Sequence, residues 1–239
     1  MFGLPALLGA SVVLVVYQFL LSFTYSRSLR RQTLLALLNL GVGLGACVMA
    51  KQVFGLGQSE VGLTSTTGAV LRWSLPIVAL IGLGIWVVTS VPSIRRRFRD
   101  DRFASFTWPE VAWKVALITV GTAFVEELLF RGILMGAWRG ASYSDVVAVV
   151  GSSLAFGLWH IGPEAAKLRG QQDATQKKWL PSISTAVLAT TVLGGLLGLL
   201  RLASGSIWPC VLVHAAINSA GVVAARAASQ DAKAPPSMR

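Results

Sequence analysis

The stretch Phe124-Val-Glu-Glu-Leu-Leu-Phe-Arg-Gly-Ile-Leu-Met135 places two adjacent carboxylates and an arginine inside an apolar run. Glu127 and Arg131 are four residues apart, so on a helix they share a face and can pair. Glu126 points about 100° away from Glu127 and has no such partner in the stretch. An ion in hydrocarbon costs at least ~2.5 kcal/mol, which makes these side chains functional candidates. The alternative is a structural salt bridge, but one arginine satisfies only one carboxylate well.

The composition indicates a membrane protein. Of 239 residues, 54% are hydrophobic and 13% are charged, and the mean hydropathy is +0.66. This charged fraction is about half the ~25% of an average soluble domain. The net charge of +11 comes from basic residues in short runs between apolar segments, a pattern typical of membrane proteins beside anionic lipid and not of nucleic-acid binding. Cys47 and Cys210 lie in apolar segments, so we interpret both as packing residues.

Apolar runs of spanning length predict an all-α, polytopic membrane bundle of about seven transmembrane helices. The predicted spans are residues 5–24, 33–53, 72–91, 107–139, 145–161, 182–202 and 206–226. A capping box at Thr107-Trp-Pro-Glu110 starts the fourth span, and Gly162-Pro163 is expected to end the fifth before a polar loop at 164–181. The pairs Gly41/Gly45 and Gly194/Gly198 predict close helix contacts.

The distribution of Lys and Arg predicts the orientation of the bundle. With the N-terminus outside and the C-terminus cytoplasmic, inner segments carry 15 basic residues and the outer loops with adjoining helix ends carry 4. The first span lacks the flanks of a signal peptide, so we expect it to remain. We expect residues 1–107 to form a three-span region, residues 108–226 a four-helix core with the motifs, and residues 227–239 a disordered tail.

The two histidines of the chain and one asparagine are predicted to meet Glu126. His160 ends the fifth predicted span, and His214 and Asn218 share one face of the seventh. Counted from the outer surface, Glu126, His160 and Asn218 lie ~20, ~22 and ~17 Å deep, and His214 lies about a turn higher. A lone buried histidine is more often a core residue, but the agreement in depth favours a shared site.

These residue types suit hydrolysis of an amide bond. A desolvated carboxylate can act as general base on water, a histidine can share that water, and an Asn amide with a second histidine can donate to an oxyanion. Glu126, His160 and His214 are alternatively a set that could hold a catalytic zinc. The sequence has no His-Glu-x-x-His helix, so we favour water activation without a metal or other cofactor.

Three motifs in order resemble one known family. Glu126-Glu127-x-x-x-Arg131, Phe156-x-x-x-His160 and His214-x-x-x-Asn218 are similar to the motifs of the CAAX prenyl protease type II and bacteriocin-processing family (CPBP, or Abi), over residues 108–226. The resemblance implies an intramembrane endopeptidase, which in eukaryotic members removes the last three residues of prenylated CAAX proteins. It implies Glu126 as general base, His160 as its partner on the water, and His214 with Asn218 as oxyanion donors. Glu127, Arg131 and Phe156 would support them.

Three classes of function follow as hypotheses. The leading one is a protease that cleaves a membrane-associated protein or peptide, in the lipid bilayer of a bacterial plasma membrane. The second is a non-proteolytic partner, assembly or immunity protein of the same family, working in a membrane-protein complex. The third, a small proton-coupled transporter, is disfavoured because the sequence shows no internal repeat.

Overall fold

The protein is an all-α, polytopic helical bundle. The computed structural model describes residues 3–22, 29–98, 100, 106–169 and 176–231, and these contain helices and no β-strand. The helices are α1 (Leu4–Ser22), α2 (Leu29–Phe54), α3 (Gln58–Val61), α4 (Thr67–Ser90), α5 (Pro92–Arg95), α6 (Trp108–Ile118), α7 (Phe124–Glu127), α8 (Met135–Gly140), α9 (Asp145–Trp159), α10 (Ile161–Arg169), α11 (Gln176–Ser204) and α12 (Trp208–Asp231). A 3₁₀ turn, Arg96–Phe98, follows α5.

Six helices in the described part of the chain are long and apolar enough to cross a membrane: Leu4–Ser22, Leu29–Phe54, Thr67–Ser90, Asp145–Arg169, Trp179–Ser204 and Trp208–Gln230. They correspond to six of the seven predicted spans. The remaining one, at 107–139, is a continuous helical segment from Trp108 to Gly140, which we call the central rod. Most side chains of its 121–138 portion are buried, so its charged residues face protein instead of lipid.

The central rod alternates between α-helical and π-helical turns. Thr119–Ala123 and Leu128–Leu134 are π-helical, and they flank the α-helical turn Phe124–Glu127 that carries both candidate carboxylates. The sequence predicted one uniform helix here. Because π turns often occur at functional sites, their position on both sides of the glutamates indicates a functional site in this part of the rod.

Close packing around the rod agrees with one predicted glycine pair and not with the other. A Cβ at Gly194 would lie 3.2 Å from Arg131 Nη2, and one at Gly198 would lie 3.0 Å from a Val149 methyl. This pair therefore forms a close contact, as predicted. The prediction for Gly41 and Gly45 is wrong, because no atom from another described part of the chain lies within 4 Å of a Cβ built at either.

The segment after α9 differs from prediction, although α9 itself ends at Trp159, close to the end predicted for the fifth span. The capping box is present, with the Thr107 N–H donating to Glu110 Oε2 at 2.7 Å. The predicted loop at 164–181 is wrong: Pro163 lies in the first turn of α10, where a missing N–H is tolerated. Similarly, Pro181 lies near the start of α11. Residues 170–175 lie outside the described residues.

At its C-terminus the chain stays helical for longer than expected. Ser206 Oγ accepts a hydrogen bond from the Trp208 N–H at 3.2 Å and so caps the start of α12. The helix then continues to Asp231, although the sequence placed its end near Arg226. The expected disordered tail at 227–239 therefore begins as helix, and its remaining residues, 232–239, lie outside the described residues.

Contacts between the connecting segments show that they gather at two ends of the bundle. At one end, the Ile207 N–H donates to Gly62 O at 2.9 Å, and the buried Arg201 donates to Glu60 O at 3.0 Å. At the other end, Ser229 Oγ donates to Asp100 O at 2.9 Å. Segments that were predicted to lie on the same side of the membrane therefore contact each other, in agreement with the predicted topology. That the first of these ends faces outside stays a prediction.

Candidate active site

Glu127 is fully buried and has two partners. Its Oε2 lies 3.3 Å from Arg131 Nε, which is the ion pair that the four-residue spacing predicted. Its Oε1 lies 2.7 Å from His214 Nδ1, a contact between the central rod and α12 that the sequence did not predict. Because an ionised carboxylate only accepts hydrogen bonds, Nδ1 of His214 is the donor. Glu127 therefore fixes both an arginine and the orientation of a candidate catalytic histidine.

Glu126 is also buried, and two other helices supply its neighbours. The Trp159 Nε1–H donates to Glu126 Oε1 at 3.1 Å. The second oxygen, Oε2, lies 3.7 Å from His214 Nε2 and accepts no hydrogen bond from the described chain. Thus Oε1 is held by a donor, while Oε2 faces the histidine across a gap that is longer than a hydrogen bond.

His214 lies between the two glutamates, with one ring nitrogen directed to each. Nδ1 contacts Glu127 and Nε2 faces Glu126. The ring is 3% exposed, so burial excludes bulk water from it. The predicted meeting of this histidine with Glu126 is present. The two carboxylates, the histidine and Arg131 form one buried group of ionisable side chains, which we call the buried charge cluster.

His160 occupies the corner between α9 and α10 and is half-buried. Its Nδ1 lies 2.8 Å from the Phe156 carbonyl oxygen, and because that oxygen only accepts, Nδ1 carries the hydrogen. In the neutral ring Nε2 is then free to accept a hydrogen bond. Within the described ranges His160 makes no hydrogen bond or ion pair with Glu126; the residue before it, Trp159, makes a hydrogen bond.

The contacts of Phe156 explain why an aromatic residue lies one turn before His160. Its ring contacts the rings of His160 and His214, with centroids 4.7 and 5.7 Å apart. The Arg131 guanidinium carbon lies 4.2 Å from the centroid of the same ring, in cation–π geometry. A single buried aromatic side chain therefore holds both candidate histidines and the arginine in place.

Asn218 lies one turn beyond His214 on α12 and is half-buried. Its amide makes no hydrogen bond to the residues that the structure describes. The contacts from Trp159 and His214 to Glu126 bring α9, α12 and the rod together, although the sequence had matched Asn218 and not His214 to the depth of Glu126.

No group of three His, Cys, Asp or Glu side chains is placed to hold a metal ion within the described ranges. The alternative zinc set of Glu126, His160 and His214 is therefore not brought together in this arrangement. Glu126 and His214 face each other, while His160 is turned to a backbone carbonyl. That the reaction needs no cofactor stays a prediction.

Trp159 is the site residue that the sequence analysis missed. It contributes the one hydrogen bond that Glu126 accepts from the described chain. The signal was its place beside His160, since a buried tryptophan normally finds an acceptor for its N–H. Nothing in the local pattern indicated which acceptor this would be.

A comparison with known families agrees with the motifs. Residues 108–220 match the family model described as type II CAAX prenyl endopeptidase Rce1-like. This region is Rce1-like. The match starts at the first residue of the central rod and extends beyond Asn218, so it includes all candidate catalytic residues and confirms the resemblance to the CAAX protease family. No curated protein and no solved structure matches the chain.

Proposed function

We propose that this multi-pass membrane protein is an intramembrane endopeptidase that hydrolyses a peptide bond of a membrane-associated protein or peptide. The observation that carries the proposal is the buried Glu126, with one oxygen held by Trp159 and the other facing His214, inside the Rce1-like region. The Rce1-like family is a CAAX protease family that also has members without catalysis. The intact set of ionisable groups supports activity for this chain. We propose the plasma membrane of a bacterium as the place where it acts.

The charges of the buried cluster suggest its protonation state. Glu126 and Glu127 ionised with Arg131 leave one uncompensated negative charge, which is costly in a buried site. A second proton on His214 neutralises the cluster and turns Nε2 into a donor that faces Glu126 Oε2. Nδ1–H meanwhile stays on Glu127. Because Nδ1–H is engaged with Glu127, donation from Nε2 to an oxyanion requires the doubly protonated form of His214.

The chemistry then proceeds by attack of water on the scissile carbonyl carbon. Glu126 Oε2 takes a proton from the water, while the free Nε2 of His160 accepts a hydrogen bond from the same water. His214 Nε2–H and the Asn218 amide donate to the oxyanion as the carbonyl bond opens. Glu126 then gives its proton to the leaving nitrogen, and the oxyanion re-forms the carbonyl as the C–N bond breaks. The amine and the carboxylic acid are released, and the Glu126 carboxylate is restored.

Capture of the substrate tests the proposal without knowledge of its identity. The variant Glu126→Gln is expected to retain a membrane protein or peptide that the wild type releases, because binding remains and hydrolysis does not. Affinity capture of both forms from the same membranes, followed by mass spectrometry, identifies that molecule. Added wild-type protein should then cut it. If both forms capture the same molecules and the wild type cuts none of them, the chain is a non-proteolytic partner protein instead.

Chelators are expected to leave the rate of cleavage unchanged, because the proposed reaction activates water with Glu126 and without a metal ion. Initial rates measured before and after treatment with a strong chelator of zinc test this. Loss of activity that returns on addition of zinc would support the metal mechanism, in which two histidines and one glutamate hold the ion. Incubation with an analogue of the chelator that cannot bind metal ions serves as the control.

A further inference from the structure

The Trp159 side chain is buried and is held in a fixed orientation by the aromatic rings around it. It is 2% exposed, and its ring packs edge-on against Phe130, with centroids 5.3 Å apart and an interplanar angle of 84°. On its other side the Tyr17 ring of α1 lies 6.2 Å away. The indole therefore has a fixed direction, and its Nε1–H points at Glu126 Oε1.

The hydrogen bond from Trp159 distinguishes between the two oxygens of Glu126. Glu127 has an arginine and a histidine as partners, whereas Glu126 receives one hydrogen bond from the described residues. Hydrogen bonds to an ionised acceptor are about twice as strong as those between neutral groups. With Oε1 held by the indole, rotation of the carboxylate breaks this hydrogen bond, so the favoured orientation directs Oε2 to the side where His214 Nε2 lies.

We propose that Trp159 is a positioning residue for the general base, an inference that rests on the proposed function. It holds Glu126 Oε1 so that Oε2 is the oxygen that removes the proton from water. A carboxylate free to rotate would spend much of its time with neither oxygen aligned to the water, since catalysis is sensitive to displacements of about 1 Å.

The proposal also gives the first span a role at the site. Tyr17 is held by a hydrogen bond from its hydroxyl to Asn39 Oδ1 of α2, at 2.8 Å, and its ring packs on Trp159. Beyond the corner, Gly162 of α10 packs against α1, because a Cβ there would lie 2.9 Å from the Phe19 Cα. Thus α1 contacts both sides of the corner that carries Trp159 and His160.

A matched pair of substitutions tests the positioning role. Trp138 lies on the central rod, is also buried, and its Nε1 has no acceptor among the described residues. Trp159→Phe and Trp138→Phe therefore remove the same N–H, but only the first removes a hydrogen bond. With a farnesylated, fluorophore- and quencher-labelled peptide ending in a CAAX sequence as the probe, Trp159→Phe should lower kcat by about 10- to 100-fold. KM should stay unchanged, and Trp138→Phe should keep both constants near wild type.

A melting experiment detects the contact independently of activity. Trp159→Phe should lower the Tm in detergent by about 3–10 °C, and most of that shift should disappear when Glu126→Ala is already present. Trp138→Phe should shift the Tm equally in both backgrounds. An equal effect of Trp159→Phe on the Tm in both backgrounds would overturn the proposal. It would also be overturned if the two substitutions were coupled in Tm but Trp159→Phe left kcat unchanged. If the wild type does not cut the probe but the coupling is present, the proposed function fails for prenylated CAAX peptides and the hydrogen bond stands.

Discussion

Glu126→Gln is expected to leave the protein folded and to lower peptide hydrolysis by at least ~100-fold. Glutamine has the shape of glutamate, and its amide oxygen can still accept the hydrogen bond from Trp159. The amide nitrogen that replaces Oε2, however, cannot take a proton from water. Cleavage rates and melting temperatures of the purified variant and wild type, in the same detergent, give both effects.

Glu110→Gln is the matched control for this substitution. Glu110 lies on the same rod, is half-buried and accepts from the Thr107 N–H in the capping box, a role that glutamine also fills. It should melt and cleave like the wild type. Normal cleavage by Glu126→Gln would mean that another group removes the proton, and an unfolded Glu126→Gln would mean that the carboxylate is structural.

Glu127→Ala is expected to destabilise the fold by about 3–5 kcal/mol, because it leaves a buried cation unpaired. The Arg131 side chain is wholly buried, and Glu127 is its ion-pair partner in the described chain. The substitution also removes the acceptor of His214 Nδ1–H, so activity should fall as well. Thermal melting in detergent and the yield of folded protein from membranes measure the loss.

The double variant Glu127→Ala with Arg131→Met separates the two consequences. Removing the arginine as well leaves no buried charge unpaired, so the double variant should melt at a higher temperature than Glu127→Ala alone. Activity should remain low, because His214 still lacks its partner. If Glu127→Ala is as stable as the wild type and merely inactive, the assignment of Glu127 as a structural ion-pair partner is wrong.

Local spacing predicted the contacts that lie within one helix. The pairing of Glu127 with Arg131 follows from a separation of four residues, and it is present at 3.3 Å. The capping box at Thr107 was predicted for the same reason, since both of its partners lie within one turn. Counting residues along each helix placed His214 about a turn above Glu126, whereas Nε2 of the histidine lies 3.7 Å from Oε2 of the glutamate.

Contacts between helices were beyond the reach of the sequence because they depend on how each helix is rotated. His214 was assigned to the oxyanion, and its bond to Glu127 became visible only with α12 packed against the rod. The same holds for Trp159 and Glu126. Gly41 and Gly45 share a face that the bundle leaves open, although their spacing resembles that of a contact pair.

The central claim, that Glu126 is the general base of a peptide hydrolase, is tested most directly by the cleavage rate of Glu126→Gln relative to wild type. Both proteins are measured against the captured substrate in the same liposomes, using samples with matched melting temperatures. Glu126 as the base predicts a rate at most about one hundredth of wild type. A folded Glu126→Gln that cleaves at the wild-type rate would contradict it.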